Sequence, residues 1–145
     1  VLDNSTTAMT GHQPHPGTGR TVMGEIVQKI NIEQVLRGIG VTEIETINPL
    51  ELEASVSCVK RIAEKSGVRA IIFKAPCIAV TKPKAPLHVD QDSCIGCKKC
   101  IRDLGCPAIV MNDGKICIDA SMCTGCHLCS QVCPVCAIAG GDDYE

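Results

Sequence analysis

Eight cysteines fall into two runs, Cys94-x2-Cys97-x2-Cys100-x5-Cys106-Pro107 and Cys123-x2-Cys126-x2-Cys129-x3-Cys133-Pro134. Thiolates at intervals of three residues let one tight loop wrap a face of an iron–sulfur cube. A fourth cysteine just before proline points away from that cube and ligates a second one. The chemistry implied is one-electron transfer at low potential. Cluster I would take Cys94, Cys97, Cys100 and Cys133, and cluster II would take Cys123, Cys126, Cys129 and Cys106. Each cluster then draws ligands from both halves, which couples cluster binding to folding.

The pattern is that of the two-cluster, bacterial-type [4Fe–4S] ferredoxin module, and an internal repeat supports it. Val89-Asp90 leads to Cys94-Ile95-Gly96-Cys97 as Ile118-Asp119 leads to Cys123-Thr124-Gly125-Cys126, at an offset of 29 residues. Two duplicated halves about a pseudo-twofold axis are expected, with Gly96 and Gly125 letting backbone pass close to sulfide. The first run has five residues between its third and fourth cysteines and the second has three. The extra pair within 101–105 predicts a bulge or a longer helical turn. Two outcomes stay open there: Cys106 ligates, or cluster II is a three-iron species.

Two other uses of cysteine compete. Twelve cysteines in 145 residues suit a secreted disulfide scaffold, but such a scaffold predicts no Cys-x2-Cys-x2-Cys runs, and no signal peptide is seen. Zinc uses Cys-x2-Cys pairs, yet has no need of a third cysteine at the same interval followed by Cys-Pro. Iron–sulfur is the reading that explains both runs. Cys58, Cys77, Cys117 and Cys136 are expected as small buried hydrophobes, Cys136 least clearly because it forms another Cys-x2-Cys with Cys133.

A net charge of −2 and a pI of about 6.1 give no footprint for nucleic acid or for an anionic membrane. No apolar run is long enough to span a bilayer. Clusters and unpaired thiols together point to a reducing, cytoplasmic compartment.

The elements that must position these groups divide in two. Residues 82–87, within a stretch carrying two prolines and two lysines, read as a stiff linker. Residues 88–140 form the α+β ferredoxin-like module, and 141–145 are an acidic tail. Upstream, Asn31 caps a helix striped by Val35, Leu36 and Ile39 and ended by Gly40. Residues 43–47 make a short strand. Asn48-Pro49-Leu50-Glu51 predicts a helix start, with Leu52, Val56, Val59 and Ala63 on its apolar face and Gly67 beyond its end. Residues 68–73 read as a buried strand. Helix, strand, helix, strand over 1–81 is an α/β layer with a parallel sheet. Val1-Leu2-Asp3-Asn4, apolar running into polar with no initiator Met, reads as the carboxyl end of a parallel strand, where open α/β sheets place their ligands.

Leu2-Asp-Asn-Ser-Thr-Thr-Ala-Met-Thr-Gly-His-Gln13 resembles the second half of the thiamine diphosphate motif in the large subunit of indolepyruvate:ferredoxin oxidoreductase, a family whose large subunit also ends in a two-cluster ferredoxin domain. The resemblance covers essentially the whole chain. It implies that 1–81 are the carboxyl-terminal part of the thiamine-binding domain. Asn4 through its side chain and Thr6 through its carbonyl would hold the magnesium of the diphosphate, while Thr7, Met9 and Thr10 would line the cofactor. The family's Gly-Asp-Gly opening, which supplies another magnesium ligand, has no counterpart before Val1. The resemblance therefore implies a C-terminal fragment, inactive alone, with a complete cysteine module and half a thiamine site.

The implied activity is oxidative decarboxylation of a 2-oxo acid, indolepyruvate or another arylpyruvate, to its acyl-coenzyme A. Thiamine diphosphate serves as electron sink, and the electrons leave for an external ferredoxin. The implied partners are a second (beta/gamma-type) subunit, that ferredoxin, the 2-oxo acid and coenzyme A. A stand-alone electron carrier or wiring subunit is the alternative. Lys98, Lys99 and Arg102 beside the first run are either a solvated basic face or an attractor for an acidic ferredoxin that also raises cluster I's potential. His12 and His15 sit in the thiamine-like loop; His88 and His127 have no assigned role.

Overall fold

The computed structural model describes residues 1–140; the acidic tail at 141–145 lies outside the described residues. The chain divides into two compact units, Val1–Lys82 and a second from Pro83 onward.

In the first unit, β1 (Leu2–Asp3), β2 (Glu43–Ile47) and β3 (Arg69–Lys74) form one sheet in the order β1-β3-β2. Both neighbours run parallel to β3, and Leu2 and Ile47 flank the same residue, Phe73. All three strands therefore end together at their carboxyl side. Asn31 caps α1 (Ile32–Gly38) as expected, its Oδ1 accepting from the N–H of Gln34 at 3.2 Å. The expected apolar stripe of α1 is not a buried one: Val35 and Ile39 are 50% and 73% exposed, with nothing among the described residues covering them.

α2 (Leu52–Ala63) departs from expectation in two ways. It begins three residues later than the Asn48-Pro49 signal, because Asn48 Oδ1 accepts from Leu50 N–H at 3.1 Å and closes an Asx turn instead of capping. Its buried face is Ser55, Cys58 and Ile62, whereas Val56, Val59 and Ala63 face outward. The small side chains of Ser55 and Cys58 let the helix approach the sheet closely. The buried Ser55 hydroxyl is satisfied by donating to the Asn48 carbonyl at 3.0 Å. Ile62 and Ile72, 5% and 3% exposed, anchor this contact, each contributing about 1.5–3 kcal/mol of transfer free energy. β3 starts at Arg69 and leaves Val68 outside the sheet, 73% exposed.

The second unit pairs its ends. β4 (Leu87–Val89) precedes the first cysteine run and lies antiparallel to β7 (Ile138–Gly140), which follows the second. Between them, β5 (Ile109–Asn112) and β6 (Lys115–Ile118) form a hairpin across Asp113 and Gly114, whose φ values of 47° and 77° make the tight turn its strands need. α3 (Lys99–Leu104) and α4 (Leu128–Val132) carry the third cysteine of each run and pack together. The stretch expected as a linker is partly structured here. Leu87 is buried in β4 opposite Gly140, and Lys84 N–H donates to the Thr124 carbonyl at 3.3 Å.

Candidate metal centre

Each cysteine run leaves its strand through the same device. Asp90 Oδ1 accepts from Asp92 N–H at 3.0 Å, and its carbonyl accepts from Cys94 N–H at 3.0 Å. Asp119 repeats this with Ser121 N–H at 2.8 Å and Cys123 N–H at 3.0 Å. Hydrogen bonds to the ionised form hold both carboxyls below the usual aspartate range, from Ser93 and Asp92 at Asp90 and from Ser121 at Asp119. Gly96 and Gly125 follow in left-handed backbone, φ 66° and 67°, and Lys98 and His127 take the same conformation at φ 60° and 62° just before the helices. Left-handed residues on either side of the second cysteine turn each loop back on itself, as wrapping a cluster requires.

The sulfurs gather in two sets. Cys94, Cys97, Cys100 and Cys133 line one small cavity together with Ile116 and Ile138. Burial raises the Cys100 thiol above its ordinary value, and the neighbouring Cys133 and Cys97 act in the same direction. In the other set, burial pushes the Cys129 thiol up to about 11, assisted by Cys126, Cys123 and Cys106. The cysteine before proline in each run thus stands with the other run's three. All twelve cysteines are free thiols. Among the described residues, no three His, Cys, Asp or Glu side chains converge closely enough for a single metal ion.

The unequal spacers resolve without an insertion. Cys100 to Ala108 and Cys129 to Ala137 are the same distance in sequence, and both alanines are buried at the same place in their halves. What differs is where Cys-Pro falls inside that span. α3 continues to Leu104 and is closed by Gly105 at φ 56°, which carries Cys106 two residues further along; α4 ends at Val132, directly before Cys133. Only Cys58 of the four remaining cysteines is fully buried, with its thiol raised by that burial. Cys77 and Cys117 are half-buried, and Cys136 is exposed at φ 52°, so their expected role as core hydrophobes does not hold.

In the first unit a cleft of about 450 Å³ opens at the carboxyl ends of the strands, lined by Asp3, Ser5, Gly17, Lys29, Thr46 and Lys74 among others. In its wall, Lys74 Nζ lies 3.7 Å from Oδ2 of Asp3, its register partner on β1. The loop leaving β1 is pinned by its own polar groups. Asn4 Oδ1 accepts from Thr6 N–H at 3.2 Å, and the Asn4 carbonyl accepts from Cys77 N–H at 3.0 Å. Thr7 Oγ1 donates to the Gln13 carbonyl and Thr10 Oγ1 to Gln13 Oε1, both at 2.8 Å. Thr6 is buried, Asn4 exposed, and Met9 projects fully into solvent. His15 folds over its own turn, Nδ1 accepting from Gly17 N–H at 3.1 Å, while His12 is exposed. Gln13, which organises both threonines, was not singled out by sequence reasoning; its only signal there was its place at the end of the loop.

No helix among the described residues is long and apolar enough to cross a membrane. Residues 86–134 match the family model of the 4Fe-4S dicluster domain, so the second unit is an iron–sulfur module. The chain is similar to proteins named indolepyruvate oxidoreductase subunit IorA. Identity is 44% over 140 residues with that of Methanothermobacter thermautotrophicus, 41% over 140 with that of Methanothermobacter marburgensis and 38% over 144 with that of Archaeoglobus fulgidus. Each match covers 95% of this chain and 23% of the relative, so the chain spans about a quarter of the length of the curated relatives it matches.

Proposed function

We infer that this chain is a portion of the large subunit of a 2-oxo-acid:ferredoxin oxidoreductase acting on indolepyruvate or a related arylpyruvate, and that it contributes an iron–sulfur relay and one wall of a thiamine diphosphate site. The observation that carries this is the identity with indolepyruvate oxidoreductase subunits over both units at once, 44% across 95% of the chain. A ferredoxin module alone would be matched by many electron carriers. Similarity that also runs through the loop and the parallel sheet favours the oxidoreductase over a stand-alone carrier.

In this reading Cys94, Cys97, Cys100 and Cys133 hold one [4Fe–4S] cluster, and Cys123, Cys126, Cys129 and Cys106 hold the other. The sharing of sulfurs between sets supports it. Bound clusters supply one-electron acceptance and donation, and bound thiamine diphosphate supplies the sink for the carboxylate's electron pair. Residues 1–81 form the carboxyl-terminal part of the thiamine-binding domain. The position of the 450 Å³ cleft at the ends of parallel strands supports that assignment.

The Asn4 amide oxygen and the Thr6 carbonyl are hard oxygen donors of the type magnesium takes. Thr7, Met9 and Thr10 line the cofactor, with Gln13 holding the two threonine hydroxyls in place. The apolar residues that the first unit leaves bare, Leu2 at 83%, Val22 and Met23 at 87% and Ile26 at 84% exposed, suit burial against the rest of the subunit or its beta/gamma-type partner.

The test is the full-length subunit, produced anaerobically with its second subunit in a reducing, cytoplasmic setting. Adding indolepyruvate and coenzyme A should reduce ferredoxin in a reaction that requires thiamine diphosphate and magnesium. Intact clusters with no 2-oxo-acid-dependent reduction would leave an electron carrier and overturn the enzymatic reading.

A further inference from the structure

The two cysteine loops are equivalent by an offset of 29 residues yet differ in what covers them. Residues 95–99 are all exposed, whereas each of their counterparts at 124–128 is half-buried or buried. The cause is local. A Cβ added at Gly125 would meet the Ala85 carbonyl oxygen and Lys84 Cβ at 2.7 Å, while one added at Gly96 would meet nothing within 4 Å. Lys84 N–H donates to the Thr124 carbonyl at 3.3 Å, fastening residues 83–86 across the second loop. Among the described residues nothing comparable lies over Gly96 in the first.

Charge within the runs is uneven as well. Lys98, Lys99 and Arg102 lie in the first run, tempered by Asp103 paired to Lys99, whereas the second run contains neither lysine nor arginine and has a single cation, Lys84, in the segment laid across it. A further polarity difference sits at the fourth cysteines. Ala137 N–H donates to Cys133 Sγ at 3.2 Å, placing a hydrogen bond on a sulfur of the first set. Cation charge, solvent access and N–H to sulfur bonds all favour the more reduced, more negative form of an iron–sulfur centre.

We propose that residues 83–86 are a strap that closes the second cysteine loop to solvent and leaves the first loop as the face through which an acidic one-electron carrier protein exchanges with the module. The proposal rests on the iron–sulfur reading above and adds a direction to it. Each encounter moves one electron: the carrier gains what the module loses, and no atom is transferred. Lys98, Lys99 and Arg102 steer the carrier's acidic surface to the exposed loop.

The experiment is chelator-driven iron release from the full-length holoprotein, with Gly125→Ala and Gly96→Ala compared. Both glycines have the same left-handed φ, so the strain of an added methyl is common to the two and only the strap differs. In the unmutated protein, half of the iron should leave at least tenfold more slowly than the other half. Gly125→Ala should abolish the slow phase, and Gly96→Ala should retain it. Pro83→Gly/Pro86→Gly, which loosens the strap without touching a cysteine loop, should speed the slow phase as well. Equal release of all iron from the unmutated holoprotein, or equal effects of the two alanine variants, overturns the strap. A protein that takes up no iron under anaerobic reconstitution overturns the iron–sulfur reading itself.

Discussion

The N–H of Asp119 donates to the carbonyl of Ala108 at 2.8 Å, joining the entry of the second cysteine run to the exit of the first. Asp90 makes the same bond to Ala137, also at 2.8 Å. These paired bonds are the hinge of the pseudo-twofold arrangement: each half closes the other, and each delivers its pre-proline cysteine to the opposite set.

Crossed ligation predicts a crossed phenotype. Cys133→Ser should damage the cluster held by the first run, and Cys106→Ser the cluster held by the second, each giving a three-iron signal or iron loss confined to one centre. Cys136→Ser should leave both intact. Mössbauer and EPR spectra of the reconstituted holoprotein read this directly, and damage to the centre of the variant's own run would reject the assignment.

Reversing Lys98, Lys99 and Arg102 to glutamate should slow reduction of an acidic ferredoxin by roughly tenfold or more at low salt, with the deficit shrinking as ionic strength rises. Lys115→Glu, in the β5–β6 hairpin, is the control. Rates unchanged at low salt would make the three cations a solvated face.

Asn4→Ala in the full-length subunit should weaken thiamine diphosphate binding on the order of tenfold, about 1.4 kcal/mol, and raise the magnesium requirement with it. Gln13→Ala should have a similar but smaller effect by releasing Thr7 and Thr10. Calorimetric titration of cofactor at fixed magnesium checks both, and normal affinity in Asn4→Ala would remove that residue from the site.

Arg61 Nε donates to Glu45 Oε1 at 2.9 Å, and this bond holds the Glu45 carboxyl below its ordinary value of 4.5. A carboxylate with a lowered folded-state pKa stabilises the fold above the unfolded value and loses that contribution as pH falls through the folded one. Glu45→Gln should therefore speed amide exchange in β3 at pH 7, and the difference from the parent should close well below pH 4.5. A difference that persists unchanged in acid would show that the ion pair is not its source.

Local chemistry determined what the sequence by itself could reveal. Cysteine spacing, the 29-residue repeat, the Asn31 cap and the parallel α/β layer are set by interactions a few residues long, or by a pattern copied twice. The assignment of the loop from Asn4 to Gln13 to thiamine diphosphate came from resemblance alone. Tertiary structure decided which faces count. Val56 and Val59 look like a core stripe, yet the sheet receives Ser55, Cys58 and Ile62, because close packing against strands rewards small residues at the contact. Leu87 and Lys84 read as linker, yet Leu87 is buried in β4 opposite Gly140 of β7, and Lys84 beside it lies over the second cysteine loop. The unequal Cys-Pro spacers left a bulge or a longer helical turn open, and the structure shows the longer turn, α3 running to Leu104 within a span from Cys100 to Ala108 that matches Cys129 to Ala137 in length. Burial and long-range pairing are properties of the assembled chain, and no short window of sequence contains them.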